Sequence, residues 1–124
     1  MKTLVIKGWF LLLYLEFLMC VRSFNALNKV VLQRSVRTTK ERCHSPEQLC
    51  HAIDLACVLY FKPVMCLQRS AAATLLLRSQ GLKAELVIGA QLLPFRSHAW
   101  VEIDGYVVND KPYVSEIYSV LQRC

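Results

Sequence analysis

The sequence predicts an α+β fold in which a helical N-terminal half packs on a small antiparallel sheet. Three observations carry this. Ser45-Pro46-Glu47-Gln48 is a helix start, with apolar residues following at helical spacing. A second run of helix formers begins near Cys66 and stops at Gly81. After Gly81 the apolar period changes from helix to strand, and three strand-like segments follow closely.

At 124 residues the chain has room for one modest core. It divides into an apolar helical segment with a basic linker, residues 1–44, and a core, residues 45–124. Apolar residues make up 55%, high for a small soluble protein, so some apolar surface is expected to meet a partner or a bilayer. The net charge of +6 has a basic cluster at 29–42. No aromatics or nucleic-acid motif accompany it, so a solvated face suited to an acidic peptide or a membrane surface is expected, not a nucleic-acid partner. Six cysteines raise the question of disulfides. Cys50 and Cys57 lie seven apart on one helix, about 10 Å, too far to bridge. A reduced, cytoplasmic protein is the expectation. No role is assigned to Cys20, Cys43, Cys50, Cys57 or Cys124.

Residues 3–21 are almost continuously apolar, interrupted by Lys7 and Glu16. Three readings stand: a helix packed on the domain or laid against a partner, a membrane helix that spans the bilayer or lies in its interface, and a cleaved signal with a poor cleavage site. Residues 24–42 read as a short helix and basic linker. At residue 45 the chain starts its best-marked helix. Ser45 is the N-cap, Pro46 fits the first helical position and Gln48 completes a capping box. Leu49, Ala52, Ile53, Ala56 and Tyr60 give one apolar side to a helix ending near Phe61. Pro63 marks the turn into the Cys66 helix, where Ser70-Ala-Ala-Ala73 forms a small-residue face. Strands are expected at 83–89, 97–103 and 106–110, with a short strand or frayed helix from 114.

Cys66 falls in the first turn of its helix. Free N–H groups and the positive end of the dipole favour an anion there, the environment a nucleophilic thiolate uses. The plainer reading makes it a small buried apolar residue. His98 lies in a strand, and hairpin geometry tests whether Asp110 reaches it. A two-residue Asp104-Gly105 loop puts Asp110 opposite Ala99, on the wrong face. A three-residue loop with a bulge pairs Glu102 with Tyr106, Trp100 with Val108 and His98 with Asp110, with Cβ atoms about 5 Å apart. In that register Asn109 points to the other face. Cys66, His98 and Asp110 then supply the nucleophile, base and orienting carboxylate of Cys–His catalysis. Trp100 shares the face of His98 and is expected to wall the substrate cleft, unless it is core. Cys43-His44 and Cys50-His51 suggest a metal site, but their spacing is not a C-x-x-C type and the four do not share a face. Neither a metal nor a cofactor is expected.

Four ordered motifs carry a resemblance: Cys66-Leu-Gln-Arg-Ser, Gly81-Leu-Lys-Ala-Glu-Leu-Val-Ile-Gly89, Pro94-Phe-Arg-Ser-His98-Ala-Trp-Val-Glu, and Asp104-Gly-Tyr-Val-Val-Asn-Asp110. Together they resemble the transglutaminase-like leader peptidases of lasso-peptide biosynthesis, over roughly residues 45–115. The resemblance implies a transglutaminase-like, papain-like cysteine protease core with a Cys-His-Asp triad at Cys66, His98 and Asp110. It implies a ribosomal precursor as substrate, cut just after a threonine near the end of its leader, and a cyclase that closes the ring. Residues 1–44 lack the strands of a fused recognition domain, so a stand-alone protease served by a separate leader-recognition protein is expected. Two other readings are a general transglutaminase-like peptidase or amidase, and a non-catalytic Cys/His metal-binding module.

Overall fold

The helical layer begins where the sequence places its cap. In the computed structural model, which describes residues 2–21, 29, 45–92 and 95–123, helix α1 spans Lys2–Val21, α2 Pro46–Leu59 and α3 Cys66–Ser79. At the start of α2 both halves of the capping box form. Ser45 Oγ accepts from the Gln48 N–H at 3.3 Å, and Gln48 Oε1 accepts from the Ser45 N–H at 3.0 Å. The far end of α3 closes on Gly81, whose φ of 86° only glycine adopts cheaply. The Leu82 N–H reaches the Leu77 carbonyl and the Gly81 N–H the Arg78 carbonyl, each at 3.1 Å, a Schellman motif. The expected helix and basic linker at 24–42 lie outside the described residues, apart from Lys29.

Helix α1 packs on the domain. Leu4, Leu12, Leu15 and Leu18 enter the same core as Leu49 and Ile53 of α2 and Ala72 and Leu76 of α3. Burying each leucine contributes about 2 kcal/mol, so the four together approach the net stability of a small domain. Gly8 admits α2 closely, since a Cβ there would lie 2.9 Å from Ile53 Cδ1. The two charges that interrupt the apolar run are anchors. Lys7 Nζ donates to Ser79 Oγ at 3.2 Å, while Glu16 pairs with Lys62 and accepts from the Tyr60 hydroxyl. Burial and the Glu16 carboxylate push the Tyr60 phenol up to about 12.

Strands β1 (Ala84–Leu92), β2 (Phe95–Ile103), β3 (Tyr106–Val107) and β4 (Ser119–Arg123) form one antiparallel sheet in the order β3-β2-β1-β4. A one-turn helix, α4 (Val114–Ile117), precedes β4, so the tail from 114 is helix and then strand. The small face of α3 lets it lie close on one side of the sheet, where Ser70 Oγ donates to the Ala99 carbonyl at 3.0 Å. The other side carries a second cluster of Val87, Trp100 and Val114, flanked by Val107 and Tyr118.

The β2–β3 hairpin corrects the expected register. Asp104 and Gly105 have φ of 52° and 82°, the positive values of a two-residue type I′ loop. Ile103 therefore pairs with Tyr106 and Glu102 with Val107, not Glu102 with Tyr106. The ladder ends there. The Val108 N–H still reaches the Val101 carbonyl at 3.0 Å, but the return bond from the Val101 N–H goes to Asn109 Oδ1 at 2.8 Å. By capturing that donor, the Asn109 side chain turns the chain out of the sheet.

Candidate active site

That turn brings Asp110 to His98. Continued as a strand in the observed register, Asp110 would face away from the imidazole. With 108–110 bent, its Oδ2 lies 2.5 Å from His98 Nε2. The expected His98–Asp110 pair is present, made by a break in the strand and not by opposed ladder positions. Burial works against ionisation of Asp110. The His98 hydrogen bond, the Lys111 N–H at 2.7 Å and the nearby Arg69 charge outweigh it, and its carboxyl sits below the usual carboxylate range. An ionised carboxylate only accepts, so His98 Nε2 carries the proton and Nδ1 is left as the acceptor.

Two residues of α3 hold the bend. Asn109 Nδ2 donates to Ser70 Oγ at 3.1 Å, and Arg69 donates to the Asn109 carbonyl while pairing with Asp54. Asn109 therefore points toward α3, on the face of the sheet opposite His98, as expected. On the other side of the sheet His98 stacks on Tyr118, with centroids 5.3 Å apart, and on Trp100 at 6.0 Å. Trp100 is fully buried, and its Nε1 donates to Glu102 at 2.7 Å. It backs the imidazole and does not wall a cleft, which corrects its expected role as a substrate contact. Glu102, itself buried, also accepts from Arg123 at 3.0 Å, so β4 braces the same cluster.

Cys66 opens α3 as expected. Its N-cap is Met65, whose side chain makes no capping hydrogen bond, in contrast to the closed start of α2. The first N–H groups of α3 therefore have no capping side chain from Met65. Cys66 and His98 face one cleft of about 220 Å³, lined also by Leu67, Ile88, Ser97 and Ala99. Among the described residues no hydrogen bond joins the Cys66 thiol and the His98 imidazole. Cys20, Cys50 and Cys57 are also free thiols. Burial raises Cys57 and pushes Cys50 up to about 11, which suits structural thiols. Among the described residues no three His, Cys, Asp or Glu side chains come together to hold a metal; Cys43 and His44 lie outside them.

A thiol at an open helix start, a cleft shared with a histidine, and a carboxylate on that histidine are arranged on a helix-then-sheet core. A family model for the transglutaminase-like superfamily matches residues 11–123. The chain belongs to the transglutaminase-like superfamily. It is also similar to the microcin J25-processing protein McjB of Escherichia coli, 45% identical over 56 residues. That match covers 45% of this chain and 27% of the relative, so the chain spans only about a quarter of the curated protein it matches. No solved structure matches. Sequence reasoning singled out Cys66, His98 and Asp110, which the structure brings to one cleft and one hydrogen bond, but did not single out Asn109, Ser70, Arg69 and Tyr118, which surround them. An asparagine at the end of a valine-rich strand, beside an Asp-Gly loop whose shortest register fails to pair His98 with Asp110, was the available signal for Asn109.

Proposed function

We propose that the protein is a cysteine peptidase that removes the leader from a ribosomally made lasso-peptide precursor. The observation that carries this reading is the His98–Asp110 pair facing the cleft that Cys66 opens into. Asp110 fixes the tautomer, and His98 Nδ1 takes the Cys66 proton. The thiolate adds to the carbonyl carbon at the end of the leader, and the oxyanion is met by N–H groups at the uncapped start of α3. His98 returns the proton to the departing amine of the core peptide, leaving the leader as a thioester on Cys66. Water, deprotonated by His98, releases the leader as a free acid. The similarity to a protein that processes microcin J25, a lasso peptide, supports this substrate class. In this reading a separate recognition protein delivers the leader, a cyclase acts on the product, and the work is cytoplasmic.

The test is cleavage of a lasso precursor followed by mass spectrometry, with and without a leader-binding protein. Cys66→Ala is expected to lower cleavage by at least about a thousandfold while the thermal midpoint stays within a few degrees. Undiminished processing by Cys66→Ala would refute the reading. Equal cleavage of unrelated peptides would replace it with a general peptidase.

A further inference from the structure

The outward face of α1 is as apolar as the face it buries. Ile6, Phe10, Leu13 and Phe17 recur at helical spacing, and Ile6, Phe10 and Phe17 are 58%, 59% and 61% exposed. The stripe runs into a groove of about 450 Å³ between α1 and α2, lined by Val5, Ile6, Leu55, Val58 and Leu59, with Lys2 beside them. An exposed patch of this kind on a soluble domain marks an interaction surface.

Charge identifies the occupant. Six of the fifteen basic residues and one of the nine acidic ones fall in residues 22–44, directly after this helix, so nearly all of the net charge of +6 lies there. An apolar helix face or a basic segment alone binds a bilayer weakly and reversibly, whereas the two together give stable attachment to anionic lipid. A second copy carries the same net charge of +6, which opposes association. A ridge of protruding side chains needs a matching groove in a protein, while a bilayer conforms to it. Spanning is disfavoured although the helix is long and apolar enough, because it would strip Leu4, Leu12, Leu15 and Leu18 from the core.

We propose that the protein docks peripherally on an anionic membrane surface, with the outward face of α1 in the interface and the positive charge that follows it in the sequence attracting the anionic lipid. This does not depend on the peptidase reading. The test is flotation of the full chain with vesicles of phosphatidylcholine, alone or mixed with phosphatidylglycerol. Binding is expected to the mixed vesicles and to weaken with salt. Phe10→Ser with Phe17→Ser, both at exposed positions, is expected to reduce partitioning at least about tenfold. Replacing Arg34, Arg37, Lys40 and Arg42 by Gln is expected to reduce it more than about a hundredfold, near fivefold per charge. Circular dichroism and thermal midpoints of both variants should match the parent protein. Absence of vesicle binding would overturn the proposal, as would binding that survives the phenylalanine changes. So would resistance to alkaline carbonate extraction, or a concentration-dependent dimer that the phenylalanine changes dissolve.

Discussion

Asn109→Ala isolates the contact that bends Asp110 toward His98. Two hydrogen bonds are lost, one from the Val101 N–H at 2.8 Å and one to Ser70 Oγ at 3.1 Å. Val101 is fully buried, so its N–H is left without a partner, at a cost of about 1–3 kcal/mol. The Ser70 bond adds about 1 kcal/mol. The total, roughly 2–4 kcal/mol, is a large share of a small domain's net stability of about 5–15 kcal/mol. In urea this should lower the midpoint by about 1–2 M without changing the slope. Arg69 still holds the Asn109 carbonyl, so Asp110 is displaced and not released. Misplacement of that order is expected to cost about 10–100-fold in single-turnover precursor cleavage, measured where the variant is still fully folded. Ser70→Ala removes the other end of the second bond, and the double variant should lose less than the two singles added. The reasoning fails if Asn109→Ala costs under about 0.5 kcal/mol. It also fails if stability falls as expected while cleavage is unchanged, since Asp110 would then owe its place to something else.

Gly89 lies directly across the ladder from His98, and a Cβ there would meet Trp100 Cη2 at 2.8 Å and Tyr118 Cβ at 2.9 Å. Gly89→Ala should cost about 1–3 kcal/mol and shift the near-ultraviolet circular dichroism of both rings, with slower cleavage because His98 stacks on them. The Asp110 carboxyl lies lower in the folded protein than its unfolded value of about 3.9, so its contribution is complete above about pH 5 and fades as pH falls through the lower folded value. The stability difference between the parent protein and Asp110→Asn, measured by denaturant unfolding, should therefore shrink between pH 6 and about pH 3. Cys50, pushed up to about 11, is thiolate in only about one molecule in a thousand at pH 8. Iodoacetamide with peptide mapping should find Cys50 protected until urea unfolds the chain, while exposed Cys20 reacts throughout.

What the sequence made legible was local. The Ser45 capping box, the Gly81 stop and the first-turn position of Cys66 depend on residues within one or two turns, and each stands where its chemistry requires. What it hid depends on contacts across the chain. Ser70 reads as one small residue in an alanine run, and only its seat under Ala99 and Asn109 gives it a role. Tyr118 arrives beside His98 through a strand that pairs at the far edge of the sheet, 20 residues on. The apolar run of α1 is compatible with core, membrane and signal by composition, and the burial of Leu4, Leu12, Leu15 and Leu18 with the anchors at Lys7 and Glu16 places it on the domain.

The hairpin shows why a correct pair was reached through an incorrect register. Asp104-Gly105 is the strongest short signal for a two-residue loop, and that loop forms. Carried through a regular ladder, it sets His98 and Asp110 on opposite faces, so the longer loop followed from assuming that the strand continues to Asp110. The fold keeps the favourable loop and gives up the ladder instead. One side-chain amide, Asn109, replaces the lost strand bond to Val101, and the next residue is free to swing across. The same amide is tied through Ser70 to the helix that begins at Cys66. The contact that ends the strand therefore links the two halves of the candidate triad, and a change that loosens α3 on the sheet should disturb the carboxylate and the thiol together.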